Sequence, residues 1–169
     1  MTKTNIILPA FGAAIAGQGG FFAAIMRGPT VNGIQQPPMA LIVSDTAHEI
    51  ESVWGTYRQD VTGCNTRTDG QANTLAMLAA DCAAAKHARS ITVDGHNDFY
   101  LPSIGELNTA AANAPELFDA EGIYWASTQD SASYAFAQNF EGGNSLWSSK
   151  DSEFRVRPFR AIPLHTLIA

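Results

Sequence analysis

An α+β fold is the class that the sequence predicts, on three observations. Short apolar runs bounded by Gly and Pro fill the first third of the chain. Two stretches with helical spacing and helix-start signals occupy the middle. Four β-type segments then close the chain. With 169 residues, 46% of them hydrophobic, the chain reads as one domain over residues 1–169 with enough apolar mass for a core. Its parts are a β-rich stretch over 1–60, a two-helix part over 69–114 and a C-terminal β-meander over 123–163.

The apolar runs Ile6–Leu8, Phe21–Met26 and Met39–Val43 are short and bounded by Gly or Pro, so each reads as a strand. Between the last two, Arg27–Pro38 holds three prolines, two glycines and an Asn-Gly pair. It reads as a polar loop that turns the two runs into a hairpin. The first residues superficially resemble a signal peptide, with one Lys before an apolar run. Pro9, Gly12, Gln18, Gly19 and Gly20 interrupt that run, so a mature, unprocessed and soluble N-terminus is expected. No stretch reaches the roughly 18 apolar residues of a membrane span.

Asp69-Gly70 reads as a turn, with Asn73 or Thr74 as the N-cap of a helix near 73–90. Leu75, Leu78, Cys82, Ala85 and Ala88 recur at three- and four-residue spacing and mark its apolar face. A second helix is expected near 103–113. There Ser103 and Glu106 have capping-box spacing, Ile104, Leu107 and Ala111 form the stripe, and Pro115 ends it. The β-type segments are Ile123–Ser127, Ser133–Phe140, Asn144–Ser148 and Glu153–Ile162, with the turn Glu141-Gly142-Gly143-Asn144 making a hairpin. Strand alternation puts Tyr134, Phe136, Gln138 and Phe140 on one side, taken as the core side. Ser133, Ala135, Ala137 and Asn139 fall on the other.

The net charge of −6 and a charged fraction of 15% exclude a phosphate-binding basic surface, so no nucleic-acid partner is expected. The two cysteines, Cys64 and Cys82, are too few for a disulfide scaffold and read as free thiols. Asp94, His96, Asn97 and Asp98 surround a Gly turn. That loop supplies at most three or four of the six to eight oxygens calcium takes, so a structural turn is expected rather than a metal site. The four histidines, His48, His87, His96 and His165, lack the spacing of a zinc motif. There is no Gly-x-Ser-x-Gly elbow and no Gly-rich phosphate loop, and the carboxylates form no recognisable glycosidase pair. No catalysis, metal or cofactor is expected.

The ordered series Phe99–Leu107 (FYLPSIGEL), Ile123–Thr128 (IYWAST), Ser133–Phe140 (SYAFAQNF) and Phe154–Ile162 (FRVRPFRAI) resembles phage-encoded C-type-lectin-like domains. These are related to the C-terminal domain of a bacterial collagen-like adhesin, and distantly to formylglycine-generating enzymes. The enzymes' late cysteine pair has no counterpart after Cys82, so the resemblance does not extend to their activity. It implies twisted antiparallel sheets with two flanking helices, and a structural role for Asp98 in orienting the turn into the second helix. It further implies a non-enzymatic virion component, made in the host cytoplasm and carried on a tail fibre tip or baseplate. Its partners would be other phage tail subunits and a host-surface glycan or protein. The alternative is a structural or decoration protein that binds only virion subunits. A homotrimer is expected from the low charge density, the Ala- and Gly-rich N-terminal third and the analogy with fibres.

Arg155, Arg157 and Arg160 are read as holding the last strand through ion pairs. Trp125 reads as core and Trp54 as covering the core edge, while Trp147, among small polar residues, suits either core or a binding surface. The candidate ligand-binding set is Gln129, Asp130, Tyr134, Asn139, Asn144, Trp147, Ser149, Lys150 and Asp151, placed in turns or on the outward face of the meander.

Overall fold

The computed structural model describes residues 7–168 and has the expected mixed α+β class. In chain order the strands of the first part are β1 (Ala14–Ile15), β2 (Gly20–Met26), β3 (Thr30–Val31), β4 (Ile34–Gln35), β5 (Met39–Val43) and β6 (Ile50–Val53). Helices α1 (Gly70–Ala79), α2 (Ala83–Ser90) and α3 (Ile104–Asn113) follow. The chain ends with β7 (Ile123–Gln129), β8 (Tyr134–Asn139), β9 (Asn144–Ser149), β10 (Glu153–Val156) and β11 (Phe159–Pro163). One sheet has the order β1-β2-β5-β11, a second β6-β10-β7-β8-β9, and β3 and β4 pair alone.

The hairpin of β2 and β5 forms as expected. The segment between them is more ordered than a loop, because Asn32 and Gly33 both take positive φ and turn β3 onto β4. Of the run Ile6–Leu8, Ile6 lies outside the described residues, and Ile7 and Leu8 are not in a strand.

The predicted helix near 73–90 is two helices. The N-cap is Asp69, whose side chain accepts from Ala72 N at 2.9 Å, not Asn73 or Thr74. The break is a Schellman motif: Cys82 N donates to Met77 O at 3.0 Å and Asp81 N to Leu78 O at 3.1 Å, with Asp81 at φ +60. Asp81 thus does the work usually given to glycine, and the register of the apolar face changes there. Asn73, Thr74 and Met77 are buried in α1 while Leu75 is 58% exposed, so the leucine stripe read from spacing is not the buried one.

Helix α3 keeps its predicted cap. Ser103 Oγ accepts from Glu106 N, and Glu106 Oε2 accepts in return from Ser103 N at 2.7 Å. The same oxygen accepts from Gly70 N at 2.9 Å, which ties the starts of α1 and α3 to one carboxyl. A side chain at position 70 would collide with that carboxyl, since a Cβ would sit 2.4 Å from Oε2. The buried stripe of α3 is Ile104, Leu107 and Ala110; Ala111 stays half-exposed.

The final segment is not the last strand of a meander. It bends at Arg157-Pro158, so β10 inserts beside β6 and runs parallel to β7, whereas β11 joins β5 in the other sheet. Proline suits this corner because its nitrogen has no hydrogen to place in a ladder. Arg157 is buried there, donating from Nε to Ser44 O at 2.7 Å and from one terminal nitrogen to Glu49 at 2.8 Å. Arg155 reaches Glu49 and Asp119, and Arg160 reaches Asp98 at 2.5 Å. The arginines hold the segment as expected. Asp98 serves as an ion-pair partner of β11, a role the sequence did not reveal.

One core cluster lies between the four-stranded sheet, α3 and the aromatic face of β8; it includes Tyr100, Leu107, Tyr124 and Phe159. A second, around Trp54, Trp125, Leu101 and the alanines of α2, sits on the opposite face of the five-stranded sheet. Ala135 and Ala137 of β8 face this second cluster and are fully buried, so the side read as outward is the more deeply packed one. Trp54 is likewise wholly enclosed, its indole N–H donating to Ala126 O at 2.8 Å, rather than covering an edge. A third cluster packs Phe22, Ile42 and Ile162 with Leu8 and Leu164, which brings the two described ends of the chain together. Among the described residues no helix is long and apolar enough to cross a membrane.

Candidate functional site

Strand β9 is the outermost strand of its sheet. The paired positions Tyr134–Ser149, Phe136–Trp147 and Gln138–Ser145 set six side chains on one face of β8 and β9. Lys150 N donates to Ser133 O at 3.0 Å, which fixes the phase of the ladder. Ser148, Leu146 and Asn144 bond inward to β8, so the main-chain groups of Ser145, Trp147 and Ser149 point away from the sheet. Trp147 is 63% exposed and Tyr134 42% exposed. Neither belongs to a core cluster, which resolves Trp147 in favour of the surface. Arg67 lays its guanidinium 4.6 Å from the centre of the Phe136 ring, on the same face.

Beside these strands runs a groove of about 380 Å³ between α3 and the β8–β9 turn. Asn108, Ala111 and Ala112, spaced three and four apart, present one side of α3 to it. Gln138, Phe140 and Ser145 form the opposite wall, with Pro115 at one end. Ser145 Oγ lies 3.1 Å from Asn108 Oδ1 and 3.2 Å from Gln138 Oε1, so its single proton can go to either amide oxygen.

The residues singled out from the sequence divide. Tyr134, Asn144 and Trp147 stand on the exposed part of β8 and β9, and Asp130 and Asp151 in the exposed turns beside it. Ser149 is half-buried and bonded to Asp151. Asn139 caps the β8–β9 turn by accepting from Gly142 N at 3.2 Å. Gln129 and Lys150 do not lie on the outward face. Gln129 is 4% exposed; its Oε1 accepts from Val61 N at 2.8 Å and its amide donates to Asp60 at 2.8 Å. Lys150 is wholly enclosed, donating to Gln59 O at 2.7 Å and Gln129 Oε1 at 2.6 Å above the Trp54 ring. Burial lowers its pKa from the ordinary lysine value. Their partners come from a distant loop, and sequence spacing does not show that. Asn108 and Ser145 were missed, and Gln138 was read only as core, because the groove joins a helix to a turn about 30 residues later; Arg67 reaches Phe136 from a still more distant loop. The small pair Ala111-Ala112 after Asn108 was the available signal.

Both thiols are free and buried. Desolvation pushes Cys64 up to about 12 and raises Cys82 as well, which keeps them protonated and weakly nucleophilic. Asp94 accepts from Gly19 N, while Asp98 is turned to Arg160, so the two acids of that loop serve different contacts. Among the described residues no three His, Cys, Asp or Glu side chains converge as a metal cluster would.

No family model matches the chain, and no curated protein matches it by sequence. In structure it is similar to a fimbrial protein from Bacteroides ovatus, with a TM-score of 0.53 and 11% identity. The likeness covers 92% of this chain and 48% of that one. The chain therefore spans about half the length of that protein, and what they share is the fold.

Proposed function

We propose that the chain is a non-catalytic binding module with a C-type-lectin-like fold. In this reading it is carried on a phage virion at a tail fibre tip or baseplate, and holds a host-surface glycan or protein through the β8–β9 face. The observation that carries this reading is Trp147. A large apolar ring with 63% exposure, on an edge strand beside hydroxyl and amide groups, offers a flat stacking surface with polar groups at its edge, which suits a sugar or a protein contact. The protonated, enclosed thiols support the non-catalytic half, because neither suits a nucleophile.

The test is adsorption of particles carrying Trp147→Ala with Asn144→Ala. Truncating an anchoring aromatic typically costs 2 kcal/mol or more, so affinity is expected to fall on the order of thirtyfold. Normal adsorption by the folded double variant would rule the face out. The second reading is an appendage subunit that binds only its neighbours in the particle. The unpaired main chain of β9 and the fold shared with a fimbrial protein favour it, and it would then take first place.

A further inference from the structure

We infer that the groove between α3 and the β8–β9 turn is a saccharide subsite, with Trp147 as the stacking platform at its rim. This rests on the reading of β8–β9 as the recognition face and names the ligand class. Three observations carry it. Ser145 Oγ, Asn108 and Gln138 gather at one place on the groove, and the NH₂ groups of both amides have no hydrogen-bond partner among the described residues. Gln138 is only 6% exposed, but its NH₂ is not among the buried atoms left without a partner, so it is open to an acceptor entering the groove. Second, none of the residues lining the groove is ionisable. Such a site favours an uncharged ligand rich in acceptors over a phosphate, a uronate or a basic peptide.

The third observation is geometric. Ser145 and Trp147 lie two residues apart on the same face, so the indole stands about 7 Å along the strand from the groove wall. Ala111, Pro115 and Phe140 give the groove apolar surface on both walls and at one end. Two amide donors among apolar walls, next to an open aromatic ring, match a pyranose, with hydroxyls or an acetamido carbonyl at one edge and C–H groups on its face. The volume falls at the lower end of small-molecule sites, enough for one or two sugar rings.

The experiment is a ¹⁵N-resolved NMR titration of the intact chain with a neutral panel: glucose, galactose, mannose, N-acetylglucosamine and N-acetylgalactosamine. Glucuronic acid serves as the charged control. The expected result is that at least one neutral sugar shifts the side-chain amides of Asn108 and Gln138 and the Trp147 indole together. Asn108→Ala, an exposed position whose fold the same spectrum verifies, should weaken binding roughly three- to tenfold. Shifts confined to other residues, preference for the acid, or no response to any sugar would overturn the subsite. If adsorption still depends on Trp147 in those cases, the recognition face stands with a protein receptor, and only the saccharide inference fails.

Discussion

Three donors converge on Oε2 of Glu106 and the Tyr100 hydroxyl meets Oε1 at 2.8 Å, yet burial still pushes this carboxyl up to about 7. The protonated form fits because the Tyr100 hydroxyl can rotate to accept the proton, while Oε2 keeps its three donors. The folded value lies above the ordinary 4.5. The stability Glu106 contributes is therefore complete below that value and is lost as pH rises through about 7. Thermal melts should show the wild type losing about 1–3 kcal/mol, several degrees, between pH 5 and pH 8. Glu106→Gln should flatten this part of the curve, since its amide oxygen replaces Oε2 and its NH₂ donates to Tyr100. A wild-type stability that rises over that range would refute the assignment. At this scale Trp147 was half legible: an aromatic among small polar residues suited core or surface equally, and only its 63% exposure decides for the surface. Gln129 and Lys150 were not legible, because polar side chains read as exposed until distant carbonyls and amides are seen to satisfy them.

Local signals read best where both halves lie within one turn, and α3 is the example: its cap, its length and the closing Pro115 were all legible. The break between α1 and α2 was not, because Ala80-Asp81-Cys82 contains neither Gly nor Pro. The corner at Arg157-Pro158 was half legible. The proline was evident, but the choice of a different sheet on each side depends on partners more than 100 residues earlier. Asp81 at φ +60 bears a Cβ strain that glycine does not. Asp81→Gly is therefore expected to raise stability by about 0.5–1 kcal/mol in denaturant melts; its exposed pair with Lys86 offsets little. A loss of stability in the variant would show that the ion pair or the unfolded chain outweighs the strain.

For the whole molecule, the class and the order of β-rich, helical and β parts were legible. The lateral order of strands was not, since it follows from contacts between the ends of the chain. Association is the property to measure at this scale. Val31 and Ile34 sit opposite one another on the solitary β3–β4 hairpin, 49% and 68% exposed, and two-stranded ribbons are marginal alone. Together with the sparse charge, this leads us to expect light scattering at micromolar concentration to give three times the 18.0 kDa chain mass. A mass of one chain would remove the trimer. The corner at Pro158 has a further consequence, for timing. Strand β10 fills the gap between β6 and β7, and β11 completes the other sheet, so neither sheet is whole until residues 153–163 have left the ribosome. Synthesis proceeds at roughly 5–20 residues per second, so the edges of β5, β6 and β7 wait for seconds with their hydrogen-bonding groups bare. Folding of this chain is therefore a late, non-local event, slow by its topology and exposed to mispairing until its final strands arrive.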